Sequence, residues 1–391
     1  MIKKKKAILV WFEMDRRLEL LQPFISLQQD IEFVHLYFRT RDERQINMSP
    51  FEIIYWFDYK SPYELLQKHN PDFIVGATEV LLSISLIAAA KEKNITFYGM
   101  QHGFTTEDFM SILPKVKRDA AISLPLLKKH FNTARFYFSS LKLKNISRLG
   151  QYARLLISFY SKFPEEAINK KKYKWLKPDY YICFSEISCQ HYKKLYNLAG
   201  NEIKFIGIPS FDNIFKEMNL LKPDAAATKY YLLIDTSFID YHKPVFDEQI
   251  HRCYKTIKEY CKLQNATLYI KLHPRNYQNP GLADDDTITF IRNVDMPQLA
   301  KLIINAAGCF GFYSTLTMPI AFTIPTVQIK YDEIYEPLLA KEGVTPVLDF
   351  YNFSASDIKF YPLNKNDTLK TKFLYASDGN AVERLKQILI N

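Results

Sequence analysis

The sequence predicts an α/β protein of two Rossmann-like domains facing each other across a cleft. Short apolar runs alternate with longer amphipathic stretches in both halves of the chain, the pattern of parallel sheets covered by helices on both faces. A polar, Ala-rich stretch, Leu221-Lys222-Pro223-Asp224-Ala225-Ala226-Ala227, interrupts this alternation and divides a domain of residues 1–221 from one of residues 222–391. Two tracts in the second half, Ile270-Lys271-Leu272-His273-Pro274-Arg275 and Gly308-Cys309-Phe310-Gly311-Phe312-Tyr313-Ser314-Thr315-Leu316, each follow a strand-like run. Ligands of open α/β sheets collect at that end of the strands.

The elements follow in order. Residues Ala7 to Phe12, Ile31 to Phe38, Asp72 to Ala77, Ile95 to Met100, Tyr180 to Phe184 and Ile203 to Ile208 read as strands of the first domain. Between the third and fourth, Ser83 to Lys93 reads as a helix stopped by Asn94, a residue that tolerates the left-handed conformation of a C-cap. In the second domain Tyr230 to Ile234, Ala266 to Ile270, Thr287 to Ile291, Cys309 to Phe312 and Thr326 to Ile329 read as strands. Val245 to Leu263, Met296 to Asn305 and a closing Ala381 to Leu389 read as helices.

Composition supports a folded, two-domain chain. Its 391 residues exceed one ordinary core, and 48% hydrophobic with 24% charged residues is a globular balance. No window holds eighteen uninterrupted apolar residues, so no span crosses a bilayer. After Met1-Ile2-Lys3-Lys4-Lys5-Lys6 the apolar run is only Ala7 to Phe12, a buried strand and not an export signal. Five scattered cysteines without metal-site spacing suit a reduced, cytoplasmic protein. The net charge of +10 fits an anionic small substrate, an anionic membrane surface or nucleic acid. Aromatic residues spread along the whole chain supply no nucleic-acid platform, so nucleic acid is not expected as a partner.

The two tracts carry the chemistry. Lys271, His273 and Arg275 put cationic and imidazole groups at a strand's carboxyl end, with Pro274 disfavouring a helix at His273. His273 there can donate to a phosphate oxygen and stabilise charge on a departing group; the alternative is a loop histidine that caps backbone. Ser314 and Thr315, after a Gly311 turn and before the apolar run Leu316 to Phe322, read as a helix N-terminus that offers hydroxyls and N–H groups to an anion. Simple N-capping would need only one of them. In the first domain Gln101-His102-Gly103 ends a strand. His102 is the expected general base, with Glu107 and Asp108 as rival bases or orienting partners. The run Asp284-Asp285-Asp286 follows Asn279-Pro280-Gly281 and reads as a solvated turn, and no metal site is expected.

Residues from about 114 to 175 break the alternation. Lys128, Lys129, Arg135, Lys142, Lys144, Arg148 and Arg154 interleave with Leu, Ile, Phe and Tyr, as in amphipathic helices with a basic face. Such a segment suits an anionic membrane surface or a charged polymer, or is a solvated helical insertion in the first domain.

With these residues in view, the chain resembles bacterial glycosyltransferases of the GT-B fold that build capsules and other surface polysaccharides. Asp72 to Gly103 and the tract Phe205-Ile206-Gly207-Ile208-Pro209-Ser210-Phe211-Asp212 carry the likeness in the first half. Lys-Leu-His-Pro and Ser-Thr are similar to the His-Pro and Ser-Ser/Thr motifs with which bacterial sialyltransferases and polysialyltransferases hold a CMP-sugar. Those enzymes carry an acidic tract where this chain has Gln101-His102-Gly103, and a His-Gly turn with a later His-Pro also resembles CDP-glycerol glycerophosphotransferases of teichoic-acid synthesis. The resemblance implies transfer to a hydroxyl from a nucleotide-activated donor, CMP-sialic acid or CMP-Kdo among them, with no resident cofactor and no metal. Lys271, Pro274, Arg275, Gly311, Ser314 and Thr315 would bind the donor, and His102, His273 and Glu107 would be catalytic. The acceptor would be an oligosaccharide or a lipid-linked glycan, at the inner face of the cell membrane. A CDP-polyol phosphotransferase and a non-catalytic polysaccharide-binding subunit are the alternatives.

Overall fold

Buried, β-branched and aromatic runs of the chain pair into two wholly parallel sheets. The computed structural model describes residues 4–11, 21–37, 49–78, 80–101, 124–161, 174–224, 228–236, 247–273, 287–312, 314–331 and 337–391. In the first unit the strands are β1 (Lys5–Trp11), β2 (Ile31–Tyr37), β3 (Glu52–Tyr55), β4 (Phe73–Gly76), β5 (Thr96–Met100), β6 (Tyr180–Cys183) and β7 (Ile203–Phe205). Their order is β3-β2-β1-β4-β5-β6-β7, with every pairing parallel. The second unit has β8 (Tyr230–Ile234), β9 (Thr267–Lys271), β10 (Ile288–Ile291), β11 (Gly308–Gly311), β12 (Thr326–Lys330) and β13 (Val347–Asp349). Its order is β10-β9-β8-β11-β12-β13, again parallel throughout.

Both sheets therefore follow the doubly wound order 3-2-1-4-5-6, extended by a seventh strand in the first, in which the chain reverses its winding between the first and fourth strands. That reversal opens a crevice between β1 and β4 in one unit and between β8 and β11 in the other. Helices cover the sheets, and their ends obey local chemistry. With only 11 glycines in the chain, asparagines take the left-handed C-cap: Asn70, Asn94 and Asn197 have φ of 42°, 55° and 51° and close helices Pro62–His69, Leu81–Lys93 and Glu186–Tyr196. The short Asn side chain makes that conformation tolerable. The stop at Asn94 is the one the sequence predicts.

The units divide between Ser210 and Phe211, eleven residues before the expected boundary, and Ala381–Asn391 lies in the first unit, not the second. Polar anchors explain the return of that closing helix. Lys5 Nζ donates to the carbonyls of Leu389 (3.4 Å) and Ile390, Arg384 Nε donates to Ile206 O (2.7 Å), and Lys386 pairs with Asp30 at 2.7 Å. The helix Asp212–Leu220 opens the second unit, which is why a boundary read from the polar stretch falls late. Strands β3 and β13 are short and partly exposed; the apolar run Ile53 to Phe57 that holds β3 passes without a break into a 3-10 turn, Trp56–Asp58, and β13 is only three residues long. All five cysteines are buried and unpaired.

Candidate functional site

The second unit's winding reversal lies between the ends of β8 and β11, with β9 beside β8. Strand β8 is buried along its whole length and runs directly into Asp235 and Thr236, 3% and 5% exposed. The ladder continues one residue past the strand, as Asp235 N donates to Lys271 O at 3.0 Å. Burying a carboxylate is unfavourable unless its oxygens are hydrogen-bonded. Here Tyr254 Oη donates to Oδ1 at 2.6 Å and the His273 backbone N–H donates to Oδ2 at 3.1 Å. Burial and the adjacent Asp235 carboxylate push the Tyr254 phenol far above its usual range, so it stays a donor. The carboxylate thus pins the backbone of His273 where the chain leaves β9.

Lys271, the last residue of β9, is half-buried and donates to Leu272 O at 3.0 Å. Burial lowers its pKa, and the negative charge of Asp235 acts against that shift. Leu268, Ile270 and Leu272 enter the core cluster with Phe310, Phe312 and Val327. Strand alternation therefore puts Lys271 on the opposite face with Tyr269, whose ring stacks on Tyr230 at 4.4 Å.

Across the reversal, Gly311 belongs to strand β11, as the strand reading of Cys309 to Phe312 has it, and the turn expected at Gly311 is displaced. A Cβ there would lie 2.4 Å from Thr317 Cγ2 and 2.6 Å from its Oγ1, so the glycine makes room for a fully buried threonine that donates to Phe312 O at 3.3 Å. The turn comes later: Ser314 N donates to Phe312 O (2.8 Å), Leu316 N to Ser314 Oγ (3.3 Å) and Thr317 N to Ser314 O (3.0 Å). The helix starts at Thr317 and runs only to Ala321, shorter than the expected run to Phe322, because Pro319 and the turn at Phe322 limit it. Its dipole is correspondingly small; Ser314 and Thr315 are half-buried, and the Ser314 N–H is committed to Phe312 O. Ser314 accepts a backbone N–H and keeps its own O–H to donate.

The structure thus brings His273 and Lys271 together with Asp235, which the sequence reading passed over, and places Ser314 and Thr315 at the end of the strand on the other side of β8. A charged residue directly after the all-apolar run Tyr230–Ile234 was the available signal. His102, Glu107, Pro274 and Arg275 lie outside the described residues. The residue before His102 is firmly held: buried Gln101 donates its N–H to Ile182 O (3.1 Å) and accepts with Oε1 from Phe184 N and Ser188 Oγ, both at 3.0 Å. Ser188 in turn belongs to the capping box of helix Glu186–Tyr196. Among the described residues, no group of three or more His, Cys, Asp or Glu is placed to hold a metal ion.

No family model and no curated protein sequence matches the chain. Its fold does match solved structures. The UDP-GlcNAc 2-epimerase from Methanocaldococcus jannaschii superposes with a TM-score of 0.50 at 16% identity, covering 99% of this chain and 99% of that one. The UDP-GlcNAc 2-epimerase from Neisseria meningitidis bound to UDP-GlcNAc gives 0.51 at 10% identity, covering 98% and 99%. The likeness extends over both units and identifies a two-domain α/β fold of the GT-B type.

Proposed function

We propose that this chain is a glycosyltransferase of surface-polysaccharide assembly, which moves a sugar from a nucleotide-activated donor to a hydroxyl of an oligosaccharide or lipid-linked acceptor without a metal ion. The observation that carries the reading is the Asp235–Tyr254–His273 network at the winding reversal of the second unit, with Ser314 and Thr315 on the next strand end. Lys271, Ser314 and Thr315, with Pro274 and Arg275 of the same tract, bind the donor phosphate. The bond from the anomeric carbon to the phosphate oxygen breaks with its electrons on that oxygen, and His273 stabilises the charge. The acceptor oxygen forms the new bond, and its proton passes to His102, or to Glu107. Asp235 does not touch the reacting atoms in this scheme; it sets the backbone from which His273 projects.

The basic tract favours an anionic donor, and its likeness to CMP-sugar motifs puts cytidine nucleotides first. Incubating the protein with CMP-, CDP-, UDP- and GDP-activated donors and glycan acceptors, and measuring nucleotide release with acceptor extension, tests the reading. Acceptor-dependent CMP release with sugar transfer supports it. Transfer of a polyol phosphate from a CDP-polyol identifies the phosphotransferase instead. The fold neighbours act on or bind UDP-GlcNAc, so that donor is included with an epimer readout; acceptor-independent conversion of its sugar overturns transfer. Absence of turnover with every donor leaves the binding-subunit reading. Retention of activity in EDTA is expected, since side chains in place of a cation neutralise the phosphate.

A further inference from the structure

The helical segment of the first unit has two unlike sides. It comprises helix Leu124–Phe138, the 3-10 turn Leu143–Arg148 and helix Leu149–Ser161. One side is fastened to the core: Phe136 meets Trp56 edge-on at 5.3 Å, Tyr137 packs on Tyr152 at 4.8 Å, and Tyr152 stacks on Trp175 at 4.5 Å. Ser140 Oγ and Tyr152 Oη share a hydrogen bond of 3.0 Å. Elsewhere the segment presents Phe131, Leu143, Ile146, Leu149 and Ile157, which are 68%, 88%, 55%, 46% and 65% exposed. Scattered exposed apolar residues are ordinary in globular proteins. Five large ones concentrated in one short segment point to something that covers them.

Charge says what. Between Asp119 and Glu165 the sequence contains no Asp or Glu, yet it carries Lys128, Lys129, Arg135, Lys142, Lys144, Arg148 and Arg154; Lys144 pairs with Glu92 and Lys142 lies over the Tyr63 ring, and Arg135 and Arg154 are exposed. The two chemistries are adjacent on the helices. Phe131 and Arg135 are exposed four residues apart, and Arg154 and Ile157 are exposed three apart, spacings that make neighbours on one helix face.

We propose that this face docks on an anionic phospholipid bilayer, with the apolar side chains in the headgroup region and the cations on lipid phosphates. A hydrated polyanion would leave Leu143 and Phe131 in water, and the same face of a second copy would repel it with like charge. Among the described residues no helix is long and apolar enough to cross a membrane, so the contact is interfacial. The inference does not depend on the transfer chemistry; it would hold for any activity on a membrane-linked substrate.

Flotation of the full chain with vesicles tests it. Binding is expected to vesicles of phosphatidylcholine with about a quarter phosphatidylglycerol and not to phosphatidylcholine alone, weakening about tenfold or more between about 0.05 and 0.5 M salt. The double variant Arg135→Glu with Arg154→Glu should weaken binding about tenfold or more at low salt. Leu143→Ser with Ile157→Ser should also weaken it, while circular dichroism and the thermal midpoint stay those of the parent. In Phe131→Trp, brominated lipid should quench the emission that the new indole adds to the parent's. Absence of flotation at low salt, equal binding to neutral vesicles, or added emission that brominated lipid leaves unquenched while the chain is retained on soluble polyphosphate would each overturn the proposal. Should the charge-reversed variant not fold, the serine pair and the quenching measurement decide the matter alone.

Discussion

The two sheets share one topology but end differently at their winding reversals. Between β1 and β4 the paired strands form a tight backbone seam, where a Cβ on Gly76 would meet the Val10 carbonyl oxygen at 2.0 Å, and β4 runs on into buried Ala77 and Thr78, whose Oγ1 accepts from Tyr196 Oη at 2.7 Å. Between β8 and β11 the neighbouring strand ends carry Asp235, Thr236, Ser314 and Thr315, and the glycine there, Gly311, is pressed by a side chain, Thr317. The same winding thus holds a glycine against backbone in one unit and a glycine against a side chain in the other, where a buried carboxylate follows the first strand. Topology selects where a site can form; the residues just past the strands decide whether one does.

The largest expected effect breaks the seam. Gly76→Ala has only backbone and a Cβ to displace, and should cost more than about 3 kcal/mol or prevent folding. Gly311→Ala should cost about 1–3 kcal/mol, and the double variant with Thr317→Ala should recover most of it because the clashing atoms are removed. Urea denaturation measures all three. Equal losses for the two glycines, without rescue, would erase the distinction.

Next in size is His273→Ala, expected to lower turnover by about 10²-fold or more, the scale for a lost proton donor or charge stabiliser. Near-parental activity in a folded variant would mean the polar strand end is not the donor site. Smaller changes follow in its support. Tyr254→Phe removes a hydrogen bond to a buried carboxylate and should cost about 1–3 kcal/mol. Asp235→Asn can keep both bonds, with its amide oxygen facing His273 N–H and its NH2 facing Tyr254 Oη, and should retain most stability. A larger loss for Asp235→Asn than for Tyr254→Phe would make the charge of Asp235, not its geometry, the important feature.

The smallest effect at neutral pH belongs to the first unit. His35 is fully buried, shares a hydrogen bond of 3.0 Å between Nδ1 and Ser49 Oγ, and its Nε2 has no partner among the described residues. Burial lowers its pKa from 6.5 to about 4. The unfolded chain binds more protons between those values, so this contribution to stability is complete above pH 6.5 and is lost as pH falls towards 4. The loss should reach about 1 kcal/mol near pH ~5.5. Thermal midpoints of the parent and His35→Gln measured from pH ~7 to ~5 should converge as pH falls; parallel curves would show that His35 does not titrate in this window.

Much of this was legible in the chain. Apolar runs marked eleven of the thirteen strands, Asn94 marked a helix end, and Lys271, His273, Ser314 and Thr315 were singled out by position after strands. The misses are equally specific. The turn was read at Gly311, inside the strand, because the reason for that glycine, Thr317, is found only by packing. The closing helix Ala381–Ile390 read as part of the second domain because its anchors, Lys5, Asp30 and Ile206, are far away in sequence.

By itself the sequence determined the alternation of strand and helix, the parallel character of both sheets and the polar residues at strand ends. Those rest on periodicity and caps, which act over a few residues. Only the tertiary structure decided that β8 lies between β9 and β11, and with it that Asp235 receives Tyr254 from 19 residues away and His273 from 38. A buried carboxylate must find donors wherever strand order brings them, and strand order is set by the packing of the whole sheet.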